Sequence, residues 1–298
     1  MPSVLQAIGG GMLVMLAGTI PRNVLFAANL RYGAGVPWAV PVVAIYLWGF
    51  WRYLGGAGPP DYSRATRRHS LRANRVAGRV WVWALIAGGL GIVWLVLALR
   101  VANRLVALPD QQLPDLSSVP STTVWSLLLM AAPVAGVIEE AAFRGYMQGP
   151  LERHLGLAVA ILITGTMFAV AHLDFTPLLW PYYLAVAALY GIVTALTNSV
   201  WPAVVLHTAG NLYSNLDLLL HGQAEWQAPG GATQLVWTTG IDSAFGWLAA
   251  TAIAVGALLA WAFMRLAAVA RAPLRLPGTD TGHRVPEIPR LGRSSLRS

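Results

Sequence analysis

Val137-Ile138-Glu139-Glu140-Ala141-Ala142-Phe143-Arg144-Gly145 closes a long apolar run that starts at Val124. Two adjacent carboxylates are out of place there. An acid at the centre of a membrane helix costs about 2.5–3.5 kcal/mol. Neighbouring residues on a helix point about 100° apart, so the two acids are expected to have different partners. Glu140 and Arg144 stand four residues apart and pair on one face. Glu139 then faces elsewhere, without a local counter-charge. A carboxylate withdrawn from water is suited to act as a general base. The plainer reading has both acids capping the span at the interface, paired with Arg144 and Arg153. The doublet alone does not choose between the two.

The surrounding chain decides the fold class. Of its 298 residues 56% are hydrophobic and 11% charged, with a mean hydropathy of +0.59. Soluble domains are about 25% charged. That excludes an ordinary cytosolic enzyme, a disordered chain and a nucleic-acid-binding module. Thirteen Trp suit a membrane protein, because indoles favour the bilayer interface. No Cys is present, so thiolate metal sites and disulfides are excluded.

A spanning helix needs roughly 20 mostly apolar residues. Eight segments qualify: 4–21, 34–51, 80–102, 122–142, 155–173, 177–197, 200–220 and 243–266. The sequence therefore predicts an all-α, polytopic membrane bundle of about eight transmembrane helices. The first segment is weakened by Gly9-Gly10-Gly11 and followed by Pro21 and Arg22. It lacks a basic start and a good cleavage site, so it reads as a retained helix rather than a signal sequence.

All 20 basic residues are Arg, and fourteen of them lie between Arg52 and Arg79 or between Arg265 and Arg297. Such clusters flank membrane helices on the cytoplasmic side and attract anionic lipids; nucleic acid is not expected as a partner. With the 52–79 loop and the tail inside, and the 103–121 and 221–242 loops outside, eight spans place both termini in the cytoplasm. Arg22, Arg31 and Arg104 then fall outside. The composition, rich in Ala, Gly and Arg without Lys, points to a bacterial plasma membrane. The chain divides into N-terminal helices with the Arg-rich loop (1–121), a core (122–220), a loop with the last span (221–271) and a disordered basic tail (272–298).

Polar residues inside apolar spans are costly and mark function. Here they cluster between residues 139 and 217. His172 ends the stretch from Leu157, next to Asp174; taken alone it reads as an interfacial histidine. His207 and Asn211 lie one turn apart within 200–220 and share a face. Asp217 reads as interfacial, near His221. Together, Glu139 and His172 are placed to polarise a water, and His207 with Asn211 to donate hydrogen bonds to a developing oxyanion. There is no His-Glu-x-x-His and no Gly-x-Ser-x-Gly, and Ser214 lacks the context of a nucleophile.

Glu139-Glu140-x-x-x-Arg144, then Phe168-x-x-x-His172, then His207-x-x-x-Asn211, each on an apolar helix, resemble the CPBP intramembrane proteases. That family includes the type II CAAX prenyl endopeptidases and the bacterial Abi proteins. Tyr190-Gly191 and Trp201-Pro202 are similar to its pattern as well. The resemblance covers about residues 122–220. It implies an active-site cavity inside the membrane, with Glu139 as general base assisted by His172, and His207 and Asn211 as oxyanion donors. Glu140 and Arg144 would hold the geometry, supported by Phe168. The substrate would be a membrane-associated, lipidated or unlipidated peptide. The family is described both as metalloprotease and as metal-independent glutamate protease; a zinc ion would draw on His172, His207 and Glu139.

Straight rods raise a difficulty. Glu139 would lie about 25 Å along a helix that starts at Thr122, and His172 at the opposite membrane face. The two can meet if the fourth helix runs on towards Arg153, deeply placed and broken at Gly149-Pro150, or if the fifth is short or tilted. Two competing classes fit the same composition: a non-catalytic membrane adaptor of this fold, and a proton-coupled transporter using Glu139 and the histidines as a relay. The four intact polar positions favour the protease over the adaptor. The lack of a visible repeat counts against the transporter.

Overall fold

The computed structural model describes residues 3–108, 115–172, 177–222 and 234–272. Every regular element among them is helical. In chain order these are α1 (Val4–Tyr32), α2 (Ala39–Leu54), α3 (Arg64–Leu71), α4 (Gly78–Leu105) and α5 (Ser121–Glu139). A π-helical stretch, Glu140–Gln148, joins α5 to α6 (Gly149–Leu155). Then follow α7 (Leu157–Ala171), α8 (Trp180–Thr197), α9 (Trp201–His221), the single turn α10 (Val236–Thr239) and α11 (Ser243–Arg271). The expected tail beyond Ala272, Asp174 and residues 223–233 of the expected loop lie outside the described residues.

All eight expected spans fall on helices. Five are long and apolar enough to cross a membrane: α1, α4, the continuous Ser121–Leu155 helix, Pro177–Thr197 and α11. Helices α2 and α7 are apolar but shorter. The eighth, α9, carries His207, Asn211, Asn215 and Asp217, which dilute its apolar character. The outer surface is apolar, with Leu5, Leu13, Ile20, Ile45, Ile253 and Met264 exposed. Trp48, Trp237 and Trp247 are also exposed. A surface of this kind is stable in lipid and not in water. The protein is an integral membrane protein.

Two helix boundaries differ from the sequence reading. Helix α1 does not stop at Pro21 but continues to Tyr32, so Arg22 and Arg31 are helical residues. Its face of Ala7, Gly11, Val14, Met15 and Gly18 is buried, and a membrane interior penalises unpaired backbone groups enough to keep a proline-containing helix intact. Asn29 then shapes the turn into α2. Its Nδ2 donates to Gly33 O and Val36 O, and its Oδ1 accepts from Ala39 N. The second difference lies in the fourth span. It runs to Leu155 without breaking at Gly149-Pro150, giving a helix of 35 residues. The π-helical stretch ends where Pro150, which lacks an amide hydrogen, enters the first turn of α6.

Cross-links tie the helix ends into two groups. At one end Arg104 Nη2 lies 2.7 Å from Asp242 Oδ2, Trp237 Nε1 donates to Leu105 O, and Thr123 Oγ1 donates to Ala34 O. At the other, Arg79 donates to Ala272 O, Arg72 pairs with Glu152, and Val200 N donates to Arg72 O. The 52–79 loop and the start of the tail therefore share one end. The ends of the 103–121 and 221–242 loops share the other.

Candidate active site

The hairpin of Ser121–Leu155 with α7 sets the depth of the site. Gly156 reverses the chain at a φ of +79°, a conformation that favours glycine. Glu139 precedes it by about as many residues as His172 follows it, so the antiparallel arms carry both to the same height. At 1.5 Å per residue, Glu139 is about 25 Å from either end of the long helix. The rod difficulty disappears because the helix is longer than the 122–142 segment and Glu139 sits near its middle.

Helix α9 completes the arrangement. It approaches α5 so closely at Gly136 that an added Cβ would stand 2.3 Å from Thr208 Oγ1 and 3.0 Å from Val204 O. This approach brings the His207 ring, 4% exposed, to the carboxylate pair. Its Nδ1 is 2.7 Å from Glu140 Oε1 and its Nε2 is 3.7 Å from Glu139 Oε2. The expectation of separate partners is corrected here: one imidazole, with a nitrogen on each side, reaches both acids. The ring stacks on Tyr190 at 4.9 Å between centroids.

Glu140 and Arg144 are both fully buried, with Arg144 Nη1 3.3 Å from Glu140 Oε1. None of the guanidinium nitrogens has a hydrogen-bond partner among the described residues. Instead the cation lies over three rings, 5.2 Å from Phe168, 5.6 Å from Tyr190 and 5.9 Å from Phe143. Cation–π attraction strengthens in such a dry setting. Phe168, itself buried, also packs edge-on against Phe143 and against the His172 ring at 4.5 Å. Arg153 takes no part in an ion pair with either acid.

His172 Nδ1 is 2.8 Å from Phe168 O. A carbonyl only accepts, so Nδ1 carries the proton and Nε2 is left as an acceptor. Glu139, Phe168, His172, His207 and Asn211 line one cavity of about 100 Å³, with Tyr190 and Ser214. Glu139 Oε2 is buried and has no hydrogen-bond partner among the described residues. All four sequence-derived catalytic candidates thus meet at one cavity; of the three supporting residues Phe168 lines it, and Glu140 and Arg144 pack beside it. Ser214 reaches the cavity too, but no histidine bonds it.

The sequence reading passed over Arg22. Gly18 of α1 abuts Ile138, and Gly11 abuts Met147, so α1 runs antiparallel to the 138–147 segment. Side chains on a helix lean towards its N-terminus. Arg22, one turn beyond Gly18, therefore leans towards the height of Glu139, and the two interact electrostatically. Glu139 has a counter-charge after all, from outside the core segment. The signal was present as an arginine just past the point where a helix was expected to end.

The donor set does not converge as a metal centre. Among the described residues no three His, Asp or Glu side chains are grouped as ligands, and His207 has each nitrogen directed to a different carboxylate. No step below is routed through a metal.

Residues 121–213 match the family model described as type II CAAX prenyl endopeptidase Rce1-like. This segment belongs to the CAAX protease family. The Rce1-like segment holds Glu139, Glu140, Arg144, Phe168, His172, His207 and Asn211, and the family that it matches is a protease family. Helices α1 to α4 and α11 lie outside the match. Comparison with curated proteins and with solved structures gives no match.

Proposed function

We propose that the protein is an intramembrane endopeptidase that hydrolyses a peptide bond of a membrane-associated substrate. The observation that carries this reading is the meeting of Glu139, His172, His207 and Asn211 at one buried cavity. Glu139 Oε2 receives a proton from a water held between it and His172 Nε2. The hydroxide oxygen attacks the scissile carbonyl carbon. His207 Nε2–H and the Asn211 amide donate to the resulting oxyanion; donors already in place when charge develops are worth about 2.7–4 kcal/mol each. The tetrahedral intermediate then collapses. The C–N bond breaks, and the proton held by Glu139 passes to the leaving nitrogen.

His207 can donate through Nε2 while also donating to Glu140 only if it carries both ring protons. An apolar groove lies beside the cavity, between α4 and α8, and Leu95 and Tyr182 line both. It suits an apolar or lipidated part of the substrate. The Arg-rich end of the bundle faces the cytoplasm in this reading.

The test is cleavage of a membrane-peptide library by purified protein in detergent, with and without a chelator. Wild type is expected to cleave in both conditions. Glu139→Gln keeps the shape but accepts no proton, and turnover falls at least a thousandfold while the protein still folds. Retained cleavage by Glu139→Gln would remove the base assignment. Chelator-sensitive cleavage restored by zinc would replace the metal-free route.

A further inference from the structure

The Arg52–Arg75 region contains two kinds of arginine. Arg67, only 6% exposed, builds the loop. Its Nε donates to Tyr53 O, and its Nη groups donate to Ala57 O, Gly58 O and Pro60 O and to Ser63 Oγ. Gly56, at a φ of +95°, lets the loop close against Arg64, where a Cβ would come within 2.9 Å of the carbonyl. The folded loop, α3 and the end of α2 then surround a cavity of about 740 Å³.

Four other arginines line that cavity: Arg52, Arg64, Arg68 and Arg75. Among the described residues no carboxylate lines it. Of the four, only Arg64 has an acidic partner among the described residues, Asp61, and that pair is exposed. Four like charges held around one hollow repel each other, and an anion placed among them removes the repulsion. Guanidinium groups match phosphate oxygens geometrically. Trp51 lines the same cavity and packs on Trp201 at 4.6 Å. Paired indoles at the ends of apolar helices mark headgroup level. We propose that this pocket binds a phosphate-bearing anion, the headgroup of an anionic lipid or free phosphate, through Arg52, Arg64, Arg68 and Arg75.

The floor of the pocket gives the ligand a route to the protein's stability. Leu71, Ala73 and Asn74 belong to a strap that leads from α3 to α4. Leu71 O and Ser70 O lie against Gly145, next to Arg144, within 3.1–3.2 Å of where its Cβ would stand. Asn74 Nδ2 donates to Asn198 O, and Ser199 Oγ donates to Asn74 O. Arg72 reaches both Glu152 and Asn198. Anything that binds the folded pocket and not the unfolded chain stabilises this end of the bundle.

Full-length protein in an uncharged detergent is titrated with dihexanoyl phosphatidylglycerol in one arm and sodium phosphate in the other. Thermal midpoint and Trp fluorescence are the readouts. A saturable response is expected, weakened about tenfold or more in Arg68→Gln/Arg75→Gln, since each charged hydrogen bond lost to the anion weakens binding by about that factor. Arg52→Gln, on the α2 wall, weakens it independently. Arg79→Gln/Arg271→Gln removes equal charge at the same end, outside the pocket, and leaves it unchanged. Saturation by the lipid alone identifies a headgroup site; saturation by both identifies a phosphate site. No saturable response in either arm, or equal weakening by the two double variants, overturns the proposal.

Discussion

Arg144 is the most exacting test of the buried charge group. It is fully buried, touches one carboxylate at 3.3 Å and otherwise meets aromatic rings. Replacing it with Met, of comparable length, leaves Glu140 with the His207 imidazole as its remaining close partner. Breaking one side of a buried ion pair costs about 3–5 kcal/mol, because the partner stays behind uncompensated. Glu140→Gln has the same consequence from the other side, leaving a guanidinium with no acceptor. The double variant Glu140→Gln/Arg144→Met removes both charges and should cost about as much as either single change. A coupling about as large as one single loss, about 3–5 kcal/mol, is then expected. The measurement is unfolding in mixed micelles for wild type, both singles and the double, with helix content checked by circular dichroism. Single variants within about 1 kcal/mol of wild type, or additive losses in the double, would show that this contact does not hold the site together.

In the proposed mechanism Asn211→Ala removes one oxyanion donor, and kcat is expected to fall about 10²–10³-fold with little change in KM; an unchanged kcat removes Asn211 from the mechanism. Gly136→Val places a branched side chain against Thr208 and the Val204 carbonyl. Overpacking of this kind costs about 1–3 kcal/mol, and by moving His207 away from Glu140 it should also reduce turnover; normal stability and activity would refute the close helix approach. At the opposite depth, hydrogen bonds from Arg104 and from the Phe245 backbone hold the Asp242 carboxyl below its ordinary range. Its contribution to stability is present above the ordinary aspartate value of about 3.9 and is lost as pH falls through the lower folded value. Asp242→Asn should flatten the acid limb of an unfolding midpoint against pH, and an identical limb would show that the link to Arg104 is not formed.

The polar positions were legible because lipid makes them conspicuous. A carboxylate doublet or a histidine inside an apolar run stands out, whereas the same residues in a soluble protein would be ordinary surface. Helix count was legible for the same reason. The lengths were not. Pro21 and Gly149-Pro150 read as breaks by local rules, yet α1 and the 121–155 helix run through them, since burial against neighbouring helices keeps the backbone paired. The π-helical stretch left no pattern in the sequence, although such stretches recur at functional sites. Sharing of His207 by both acids was hidden as well. The 100° rule concerns directions around one axis and says nothing of a ring that reaches in from a second helix.

The hairpin explains why the spacing of the motifs matters more than their membrane depth. Glu139 and His172 meet because Gly156 lies midway between them, and this holds wherever the bilayer sits on the bundle. His207 meets them through a different constraint, the contact of Gly136 with Thr208. Two independent packing relations therefore fix three helices at one height. The supporting charges follow from that placement. Glu139 at mid-helix lies far from either end of the bundle, so its partners come from within: the His207 imidazole from α9, and Arg22 from α1, outside the Rce1-like segment. A truncated protein beginning after α4 would keep every family motif and lose Arg22, along with the Leu71–Asn74 strap beneath Gly145. The N-terminal helices are thus part of the site's electrostatics and not a separate anchor.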